Sequence, residues 1–267
     1  MDLQLQGKTA LITGSTAGIG LAIASRLAME GANVVVNGRT AKRVDQAIER
    51  IRQAAQPAAG AKLSGVDADV SSAAGVAKLI AAVQTVDILV NNAGIFEPKP
   101  FEEISDDEWL RFFETNVMSG IRLSRHYFPE MLKQNWGRVV FIASESALQI
   151  PAEMIHYGMT KTAQLAVARG LAELTAGSDV TVNSVLPGPT ASEGVTTFVE
   201  RLASKQGESK EDFEKDFFKT ARPSSLLKRF ERPEEIANLV AYVCSPLASA
   251  TNGAALRADG GVVKSIA

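Results

Sequence analysis

The sequence Thr9-Ala10-Leu11-Ile12-Thr13-Gly14-Ser15-Thr16-Ala17-Gly18-Ile19-Gly20 joins a short apolar run to a turn that contains three glycines. The apolar run has the length and composition of a buried strand. After the turn, apolar residues recur at helical spacing up to Gly31, which suits a helix C-cap. Glycines between a strand and a helix let the backbone approach a pyrophosphate, which free N–H groups at the helix start can hold. Because the spacing is G-x-x-x-G-x-G and not G-x-G-x-x-G, a tight turn without a ligand stays open as the alternative.

Strands and helices continue to alternate along the rest of the chain. Further strands are predicted at 33–37, 62–66, 86–90, 137–143, 180–185 and 254–257. Helices are predicted at 41–56, 72–84, 105–133, 155–176 and 233–244. This pattern predicts the α/β class: a doubly wound, mainly parallel, Rossmann-like sheet of seven strands with helices on both faces, in one domain over 1–267. The charge-dense segment 190–232 is predicted to be either a solvated excursion or a lid over the substrate.

The composition argues against several classes of function. The formal net charge of −2 over 267 residues provides no strong basic field for nucleic acid or an anionic membrane. Cys244 is the only cysteine, and His126 and His156 are far apart in sequence, so no metal site is expected. The polar stretch from Met1 to Lys8 does not resemble a signal peptide, and the apolar runs are too short to span a membrane. We therefore expect a cytoplasmic protein with neither nucleic-acid nor membrane partners.

Tyr157 and Lys161 form the first candidate catalytic pair. Residues four apart lie on the same face of a helix. A nearby ammonium favours the phenolate and is expected to lower the pKa of the tyrosine from about 10. Such a pair suits a general acid that gives a proton to a carbonyl oxygen, and Ser144, at the end of an apolar strand, could hydrogen-bond the same oxygen. An ordinary helix-surface pair is the alternative.

Other polar or glycine-containing segments also follow predicted strands. Asn91-Asn92-Ala93-Gly94 could either satisfy an irregular turn or line a cofactor ribose. Asp69, which precedes Val70, could accept a hydrogen bond from an adenine amino group or cap the next helix. Pro187-Gly188 ends the sixth strand. Because the carboxyl ends of parallel strands meet at one edge of a sheet, these segments are expected to converge on one crevice with the glycine turn and Ser144.

The order and spacing of these motifs resemble the short-chain dehydrogenase/reductase family in its single-domain form, over essentially the whole chain. The motifs are Thr13-Gly14-x-x-x-Gly18-Ile19-Gly20, Asn91-Asn92-Ala93-Gly94, Asn116, Ser144, Tyr157-x-x-x-Lys161 and Pro187-Gly188. The resemblance implies that Tyr157 is the acid/base and that Ser144 holds the substrate oxygen. Lys161 would bind the nicotinamide ribose and lower the pKa of Tyr157. Asn116, which by itself would be interpreted as a solvated or back-bonded asparagine, would support a proton relay through water.

The resemblance also implies which residues bind the cofactor. These are Gly14, Ser15, Thr16, Gly18, Ile19, Gly20, Arg39, Asp69, Val70, Asn91, Ala93, Gly94, Tyr157, Lys161, Pro187, Gly188, Thr190 and Ser192. In the family a threonine often lies near the carboxamide in the loop after the sixth strand. Ser192 takes that position here, with Thr190 as a nearby substitute.

The end of the second strand bears on the choice between NADP(H) and NAD(H). NAD-preferring sites usually place an acidic residue there to bind the ribose 2′-hydroxyl, and this chain has Gly38. Arg39 follows and could pair with a 2′-phosphate, with neutral hydrogen bonds added by Asn37 and Thr40. Ala17 argues the other way, since many NADP-preferring relatives carry a basic residue at that position. NADP(H) is therefore predicted to be preferred, with NAD(H) possible.

The predicted function is an NAD(P)-dependent oxidoreductase that interconverts a carbonyl and a secondary alcohol, acting as an NADPH-dependent ketone reductase on a small molecule. The alternatives are a 3-oxoacyl thioester reductase and an NADH-dependent alcohol dehydrogenase. The first is weakened because Gln134-Asn135-Trp136 stands where thioester-reducing relatives often carry basic residues. A nucleotide-binding regulator with a dead site is a hypothesis from another class, against which the intact set of Asn116, Ser144, Tyr157 and Lys161 argues.

Two further expectations concern the substrate pocket and the assembly. Candidates to line the pocket are Ile95, Phe96, Glu145, Met154, His156 and the lid. Glu145 is expected either to bind a polar or cationic substrate group or to pair with a neighbouring basic or backbone group. Small residues recur along the helix that carries Tyr157, and the family commonly packs such helices across a two-fold axis, so a homotetramer is predicted.

Overall fold

The centre of the molecule is a parallel sheet of seven strands in the order β3-β2-β1-β4-β5-β6-β7. The structure is a computed structural model that describes residues 1–193 and 209–266. The strands are β1 (Thr9–Ile12), β2 (Asn33–Gly38), β3 (Leu63–Asp67), β4 (Ile88–Asn91), β5 (Gly137–Ile142), β6 (Val180–Pro187) and β7 (Ala255–Ala258). All neighbouring pairs are parallel. The strand order reverses direction between β1 and β4, where ligands of doubly wound sheets bind. The predicted fold class is confirmed.

Helices connect the strands. They are α1 (Gly18–Met29), α2 (Ala41–Ala54), α3 (Ala73–Ala82), α4 (Asp106–Phe113), α5 (Ser119–Lys133), α6 (Ile155–Glu173), α7 (Lys210–Thr220) and α8 (Pro233–Val243). Short 3₁₀ turns occur at Phe101–Glu103, Glu145–Ala147, Ala152–Met154 and Pro246–Ala248. In residues 1–193 and 209–266, no helix has the length and apolar character needed to cross a membrane.

Side chains of the central strands alternate between two hydrophobic layers. Ala10 and Ile12 of β1 pack with α1, α2 and α8 on one face, whereas Leu11 packs with α3, α5 and α6 on the other. This alternation follows from the two-residue period of a strand, and it explains why strands buried on both faces appear as continuous apolar runs in the sequence.

The structure corrects the single helix predicted at 105–133. Ser105 begins the helix with a capping box to Glu108, as the acidic first turn indicated. A π-helical turn, Glu114–Met118, then separates α4 from α5. The wide turn contains Asn116, whose main-chain carbonyl accepts a hydrogen bond from the Gln164 side chain. Hydropathy spacing could not reveal this interruption, because apolar residues continue at helical spacing through it. Of the predicted lid at 190–232, residues 194–208 lie outside the described part.

Asn37, at the end of β2, fastens the glycine-rich turn to the sheet. Its side chain is buried, donates to the carbonyls of Val66 and Ala68 at 3.1 and 3.0 Å, and accepts from the Gly14 N–H at 3.3 Å. These bonds use the amide group, so the structure does not support the expectation that Asn37 offers neutral hydrogen bonds to a cofactor. Its role is to join β2, β3 and the turn after β1.

We predict that Asn37→Ala lowers the free energy of unfolding by roughly 1–3 kcal/mol, because it leaves buried carbonyl and N–H groups without partners. Chemical denaturation followed by circular dichroism measures the change. Asn33→Ala is the matched control on the same strand, since the hydrogen bonds of Asn33 to Gly7 and Lys62 are exposed and water can replace them. Equal effects of the two substitutions would contradict the assignment.

Candidate active site

A cavity of about 730 Å³ opens at the carboxyl ends of the central strands. Many of the residues predicted to form the site line it. They are Gly18, Ile19, Gly20, Gly94, Ser144, Tyr157, Lys161, Pro187, Gly188, Thr190 and Ser192. Ile95, Phe96, Glu145 and Met154, predicted for the substrate pocket, also line it. The sheet topology thus brings segments far apart in sequence to one crevice.

The other predicted cofactor residues do not line this cavity. They are Gly14, Ser15, Thr16, Arg39, Asp69, Val70, Asn91 and Ala93. Ser15 is buried, donates through Oγ to the Ile12 carbonyl and accepts from the Asn37 N–H, so its hydroxyl supports the turn. The Asn91 amide group donates to Ser124 Oγ of α5 at 3.3 Å, so its side chain is directed under that helix. The structure does not bring the side chain of Asn91 to the cavity.

Asp69 is exposed and does not cap the helix that follows it. Its Oδ1 accepts from the N–H and the hydroxyl of Ser71, at 3.1 and 2.7 Å. The cap of α3 is Ser72, whose side chain accepts from the Gly75 N–H. Of the two alternatives for Asp69, helix capping is therefore wrong, because a nearer hydroxyl serves as the cap.

The start of α1 has the properties of an anion site. Ala17 occupies the cap position and provides no side-chain hydrogen bond, and the first turn contains no acidic residue. The leading N–H groups of a helix then have no intrahelical partner and carry a partial positive charge. A Cβ at Gly18 would lie 2.9 Å from Ser192 Cβ, and one at Gly20 would lie 2.5 Å from Asn92 Nδ2. These close approaches leave room for the backbone only, so the glycine turn fits a cofactor pyrophosphate.

The loop after β4 clamps this turn in place. Asn92 Nδ2 donates to the carbonyls of Thr13 and Gly14 at 2.9 and 3.1 Å. Thr13 Oγ1 in turn accepts from the N–H groups of Asn92 and Ala93. Asn92 thus satisfies backbone groups of an irregular turn, which was one of the two alternatives for the Asn91-Asn92 pair.

Ser144, Tyr157 and Lys161 line the same cavity. Ser144 follows β5 and precedes a 3₁₀ turn, and its Oγ accepts from the Ser146 N–H at 3.1 Å. Tyr157 lies in the first turn of α6, and Lys161 lies one turn further along. Lys161 Nζ is 5.6 Å from the centroid of the Tyr157 ring. The predicted convergence of these side chains is observed.

The expectation that Lys161 lowers the pKa of Tyr157 is wrong for this structure. Burial raises the pKa of Tyr157 to about 12, against a smaller lowering by a hydrogen bond with Ser144. Burial also lowers the pKa of Lys161 to about 7, which weakens the lysine as a source of positive charge near neutral pH. Spacing along the helix predicts proximity, but desolvation decides the direction of both shifts.

Lys161 is directed at two oxygen acceptors. Its Nζ donates to the Ile142 carbonyl at 2.9 Å and to Gln164 Oε1 at 3.3 Å. The amide nitrogen of Gln164 donates to the main-chain carbonyl of Asn116 in the π-helical turn. A buried amide thus connects the catalytic helix with Asn116. Gly94 lies over this arrangement, since a Cβ there would be 3.5 Å from Lys161 Nζ.

Asn116 is buried and fully engaged, and is neither solvated nor back-bonded. Its side chain accepts from the Ile95 N–H at 2.8 Å and donates to the Ile95 carbonyl at 3.0 Å. It also donates to Thr160 Oγ1 at 2.9 Å. The side chain therefore holds the loop after β4 against α6, and only the main-chain carbonyl points toward Gln164.

Glu145 pairs with a basic side chain, as one of its two alternatives predicted. Arg222 Nε donates to Glu145 Oε1 at 2.8 Å, and Arg222 Nη1 donates to Glu153 Oε1 at 3.1 Å. Arg222 follows α7, and Phe213 and Phe217 of that helix line the cavity. The described part of the segment 190–232 therefore forms part of the cavity wall, and its role as a lid stays a prediction. His156 does not line it; the ring is buried with its centroid 4.0 Å from that of Phe112.

Sequence reasoning missed Gln164 and Arg222. Gln164 carried a usable signal, because it is a polar residue three positions after Lys161 on a helix face that packs inward. Arg222 carried none, since it is one charged residue among many in 190–232.

A side chain at position 38 would crowd Thr16. A Cβ at Gly38 would lie 2.4 Å from Thr16 Cγ2. Arg39 is exposed beside it, and no ion pair of Arg39 is found within residues 1–193 and 209–266. Across the same described residues, no group of three or more histidine, cysteine, aspartate or glutamate side chains could hold a metal ion.

Comparisons with known proteins agree with this geometry. The short chain dehydrogenase family profile matches residues 8–203. An uncharacterised oxidoreductase of Bacillus subtilis, YvaG, is 52% identical over 266 residues that cover 100% of both chains. The 3-oxoacyl-[acyl-carrier-protein] reductase FabG of Aquifex aeolicus is 33% identical over 98% of this chain and 100% of its own. The solved structure of L-sorbose reductase from Gluconobacter frateurii, complexed with NADPH and L-sorbose, superposes with a TM-score of 0.92 at 31% identity, with 100% of both chains covered.

The pKa of Lys161 predicts a dependence of stability on pH. The unfolded lysine titrates near 10.5 and the folded one near about 7, so between these values the unfolded state binds more protons. Stability should therefore rise with pH in this range, by about 1.4 kcal/mol per pH unit for one proton. The rise in stability is due to Lys161 alone between about pH 7 and about pH 9. Above pH 9.0 the raised pKa of Cys244 opposes it. Denaturant unfolding at several pH values measures it.

Two variants isolate the source of this rise. Lys161→Met should remove it. Gln164→Leu takes one acceptor from the ammonium, lowers the pKa of Lys161 further, and should make the rise begin at a lower pH. An unchanged pH dependence in Lys161→Met would contradict the assignment.

Proposed function

The chain belongs to the short-chain dehydrogenase family, and from this premise we propose that it is an NADPH-dependent reductase that converts a ketone into a secondary alcohol. One observation carries the proposal: Ser144, Tyr157 and Lys161 line the same cavity as the uncapped start of α1. The three side chains suit hydrogen bonding and proton transfer to a carbonyl oxygen, and the start of α1 suits binding of a pyrophosphate.

In the proposed mechanism each side chain has a defined task. The bound nicotinamide supplies the hydride, and the protein supplies orientation and proton transfer. Ser144 hydrogen-bonds the carbonyl oxygen of the substrate, and Tyr157 donates its phenolic proton to that oxygen. Lys161, whose Nζ lies 5.6 Å from the centroid of the Tyr157 ring, would bind the ribose of the nicotinamide. Asn116 and Gln164 keep Lys161 in place through the hydrogen bonds described above.

The ionisation of Tyr157 supports the direction of reduction. A pKa of about 12 keeps the phenol protonated at neutral pH. A general acid must carry its proton before the reaction, so this state favours donation to a carbonyl.

The surroundings of β2 support NADP(H) over NAD(H). Gly38 provides no carboxylate to repel a 2′-phosphate, and any side chain at position 38 would crowd the Thr16 methyl group. Arg39 is exposed and available to pair with that phosphate, whereas Arg43, in the first turn of α2, pairs with Glu193 at 3.3 Å. The related L-sorbose reductase is complexed with NADPH. We propose Gly14, Ser15, Thr16, Gly18, Ile19, Gly20, Arg39, Asp69, Val70, Ala93, Gly94, Tyr157, Lys161, Pro187, Gly188, Thr190 and Ser192 as the residues around the cofactor.

The two alternatives have less support. For an NADH-dependent alcohol dehydrogenase, the acid expected at position 38 is missing. For a 3-oxoacyl thioester reductase, a 33% identical relative carries that name. However, the basic residues near the start of β5 are Lys8 and Arg138, and their cations lie 3.8 and 4.7 Å from the ring centroid of Trp136. Because these cations contact Trp136, they are not free to bind an acyl carrier protein. A homotetramer and a cytoplasmic location stay predictions from the sequence.

Replacing Tyr157 by phenylalanine tests the mechanism. We expect turnover of a ketone to fall by at least ~10²-fold to 10⁴-fold, the range for losing a general acid. Binding of NADPH, measured by fluorescence, should change little, because the ring is kept. Tyr242→Phe on α8 is the matched control and should retain activity, since Tyr242 is exposed away from the cavity. Retention of most activity by the Tyr157 variant would refute the mechanism.

Cofactor choice is tested by comparing NADPH and NADH at one ketone concentration. We expect a higher kcat/KM with NADPH, and we expect Arg39→Ala to reduce this preference mainly through KM. Arg52→Ala is the control: Arg52 is an exposed arginine near the end of α2, and its loss should leave the preference intact. Equal or better use of NADH by the unmodified protein would overturn the proposal.

A further inference from the structure

Glu231 is a buried carboxylate that the proposed reaction does not use. It is 4% exposed, lies just before α8 and contacts the loop that follows β6, residues 188–191. Three residues of this loop, Gly188, Pro189 and Thr190, line the cavity, whereas Glu231 is not among the described residues that do. Any effect of Glu231 on the site therefore passes through the loop.

Main-chain hydrogen bonds attach Glu231 to the middle of this loop. Its N–H donates to the Pro189 carbonyl, and its carbonyl accepts from the Ala191 N–H, both at 2.8 Å. The two bonds form an isolated parallel bridge between Glu231 and Thr190. They do not involve the side chain, so a neutral residue at position 231 could make them as well. The carboxylate therefore needs a separate explanation.

The carboxylate lies against the start of the loop, where its contacts depend on Gly188. Its Oε2 accepts from the Gly188 N–H at 3.1 Å, and the same N–H also donates to the Ala258 carbonyl at 3.0 Å. Thr190 Oγ1 lies 3.4 Å from this Oε2 and donates to the Gly188 carbonyl at 2.9 Å. A Cβ at Gly188 would lie 2.6 Å from Glu231 Oε1, so the glycine lets the carboxylate approach. The side chain thus contacts two residues of the cavity wall.

This carboxylate is costly to bury. Its Oε1 has no hydrogen-bond partner within residues 1–193 and 209–266. Burial raises the pKa of Glu231 to about 7, and the hydrogen bonds from Gly188 and Thr190 oppose the rise only in part. A buried charge with incomplete pairing lowers stability. The stability of the fold therefore does not account for a carboxylate at this position.

The charged groups that face Glu231 add to this effect. Asp259, after β7, and Glu235 of α8 carry like charge and raise the pKa of Glu231 further. Arg229 also faces it, but this guanidinium donates to both carboxylate oxygens of Glu235, at 2.9 and 2.8 Å. The carboxyl group of Glu231 therefore changes its charge near neutral pH.

Resting on the proposed function, we infer that Glu231 is a positioning residue for the cofactor: its ionised side chain fixes the loop 188–191 before the cofactor binds. Gly188 and Thr190 are among the residues proposed around the cofactor, and the carboxylate contacts both. A hydrogen bond to a charged acceptor is stronger than one to a neutral acceptor. A loop that is fixed in advance loses less conformational freedom on binding, so the affinity is higher. Ionisation of Glu231 therefore strengthens cofactor binding.

The affinity for NADPH at two pH values tests this role. Fluorescence titration gives Kd at about pH 6 and about pH 8 for the unmodified protein and for Glu231→Gln, which keeps the shape of the side chain without its charge. At the higher pH we expect the variant to bind about threefold to tenfold more weakly, the worth of one hydrogen bond. At the lower pH the carboxyl group is mostly protonated, so the two proteins should differ by less than about twofold.

Two other groups titrate in this range, but both are common to the two proteins. They are Lys161, whose pKa is about 7, and the 2′-phosphate of the cofactor, whose second pKa is about 6. The ratio of the two Kd values at each pH cancels their contributions. A ratio that is the same at both pH values would mean a merely structural residue and would overturn the inference. Tighter binding by the variant at the higher pH would mean that the charge repels the cofactor, which would overturn it as well.

Asp87→Asn is the matched control. Asp87 Oδ2 accepts from the Thr9 N–H at 2.7 Å, so this residue is also a carboxylate that holds a main-chain N–H. It lies just before β4, at the opposite end of the sheet from the cavity. Its substitution should leave the Kd for NADPH unchanged at both pH values. A pH-dependent weakening equal to that of Glu231→Gln would show a general effect of lost carboxylates and would contradict the inference.

Hydrogen exchange on the unmodified protein without cofactor decides the matter if Glu231→Gln fails to fold. NMR gives the protection of the Gly188 amide relative to the Ala143 amide, whose acceptor is the neutral carbonyl of Val185. We expect this relative protection to rise about threefold to tenfold from about pH 6 to about pH 8. A constant relative protection would overturn the inference.

The same measurement separates the inference from the proposed function. If neither NADPH nor NADH binds, the proposed function is refuted, whereas a rise in the protection of Gly188 would still support the fixing of the loop by Glu231. Binding of NADPH with a ratio that does not depend on pH would refute the inference and leave the proposed function standing.

Discussion

The buried amine of Lys161 is the constraint on which the centre of this molecule depends. An ammonium group away from water requires acceptors, or it loses its proton. Here the acceptors are the Ile142 carbonyl at the end of β5 and the side chain of Gln164 on the same helix. Gln164 is oriented by the Asn116 carbonyl, which the π-helical turn makes available. One buried charge thus explains why the end of β5, the middle of α6 and an irregular helical turn meet at one point.

At the start of α1, on another wall of the cavity, backbone N–H groups are left without partners. The start of α1 has neither a side-chain cap nor an acidic residue, although α3, α4 and α7 all have serine caps. Thr13 and Asn92 satisfy the backbone of the turn itself, so the free N–H groups of the helix stay directed at the cavity. An uncapped helix start that lines a cavity is a ready site for a pyrophosphate.

A buried ion pair joins two further segments of the cavity wall. Arg222 Nε donates to Glu145 Oε1 at 2.8 Å, which connects the residue after α7 with the residue that follows Ser144. Breaking such a buried pair would leave a charge without a partner, which costs several kcal/mol by comparison with other proteins, roughly 3–5. The pair can therefore hold Arg222 and the end of α7 against the catalytic segment.

The sequence by itself determined the features that depend on local periodicity. The strand and helix alternation, the glycine turn, and the four-residue spacing of Tyr157 and Lys161 follow from periods of two and 3.6 residues, which are properties of short segments. The tertiary structure alone decided what depends on long-range burial. Arg222 meets Glu145 across 77 positions and Gln164 meets Asn116 across 48, distances over which no local pattern operates. The pKa of Tyr157 also depends on the tertiary structure. The spacing between Tyr157 and Lys161 can be read from the sequence, but the desolvation that raises the pKa of Tyr157 exists only once the cavity has formed.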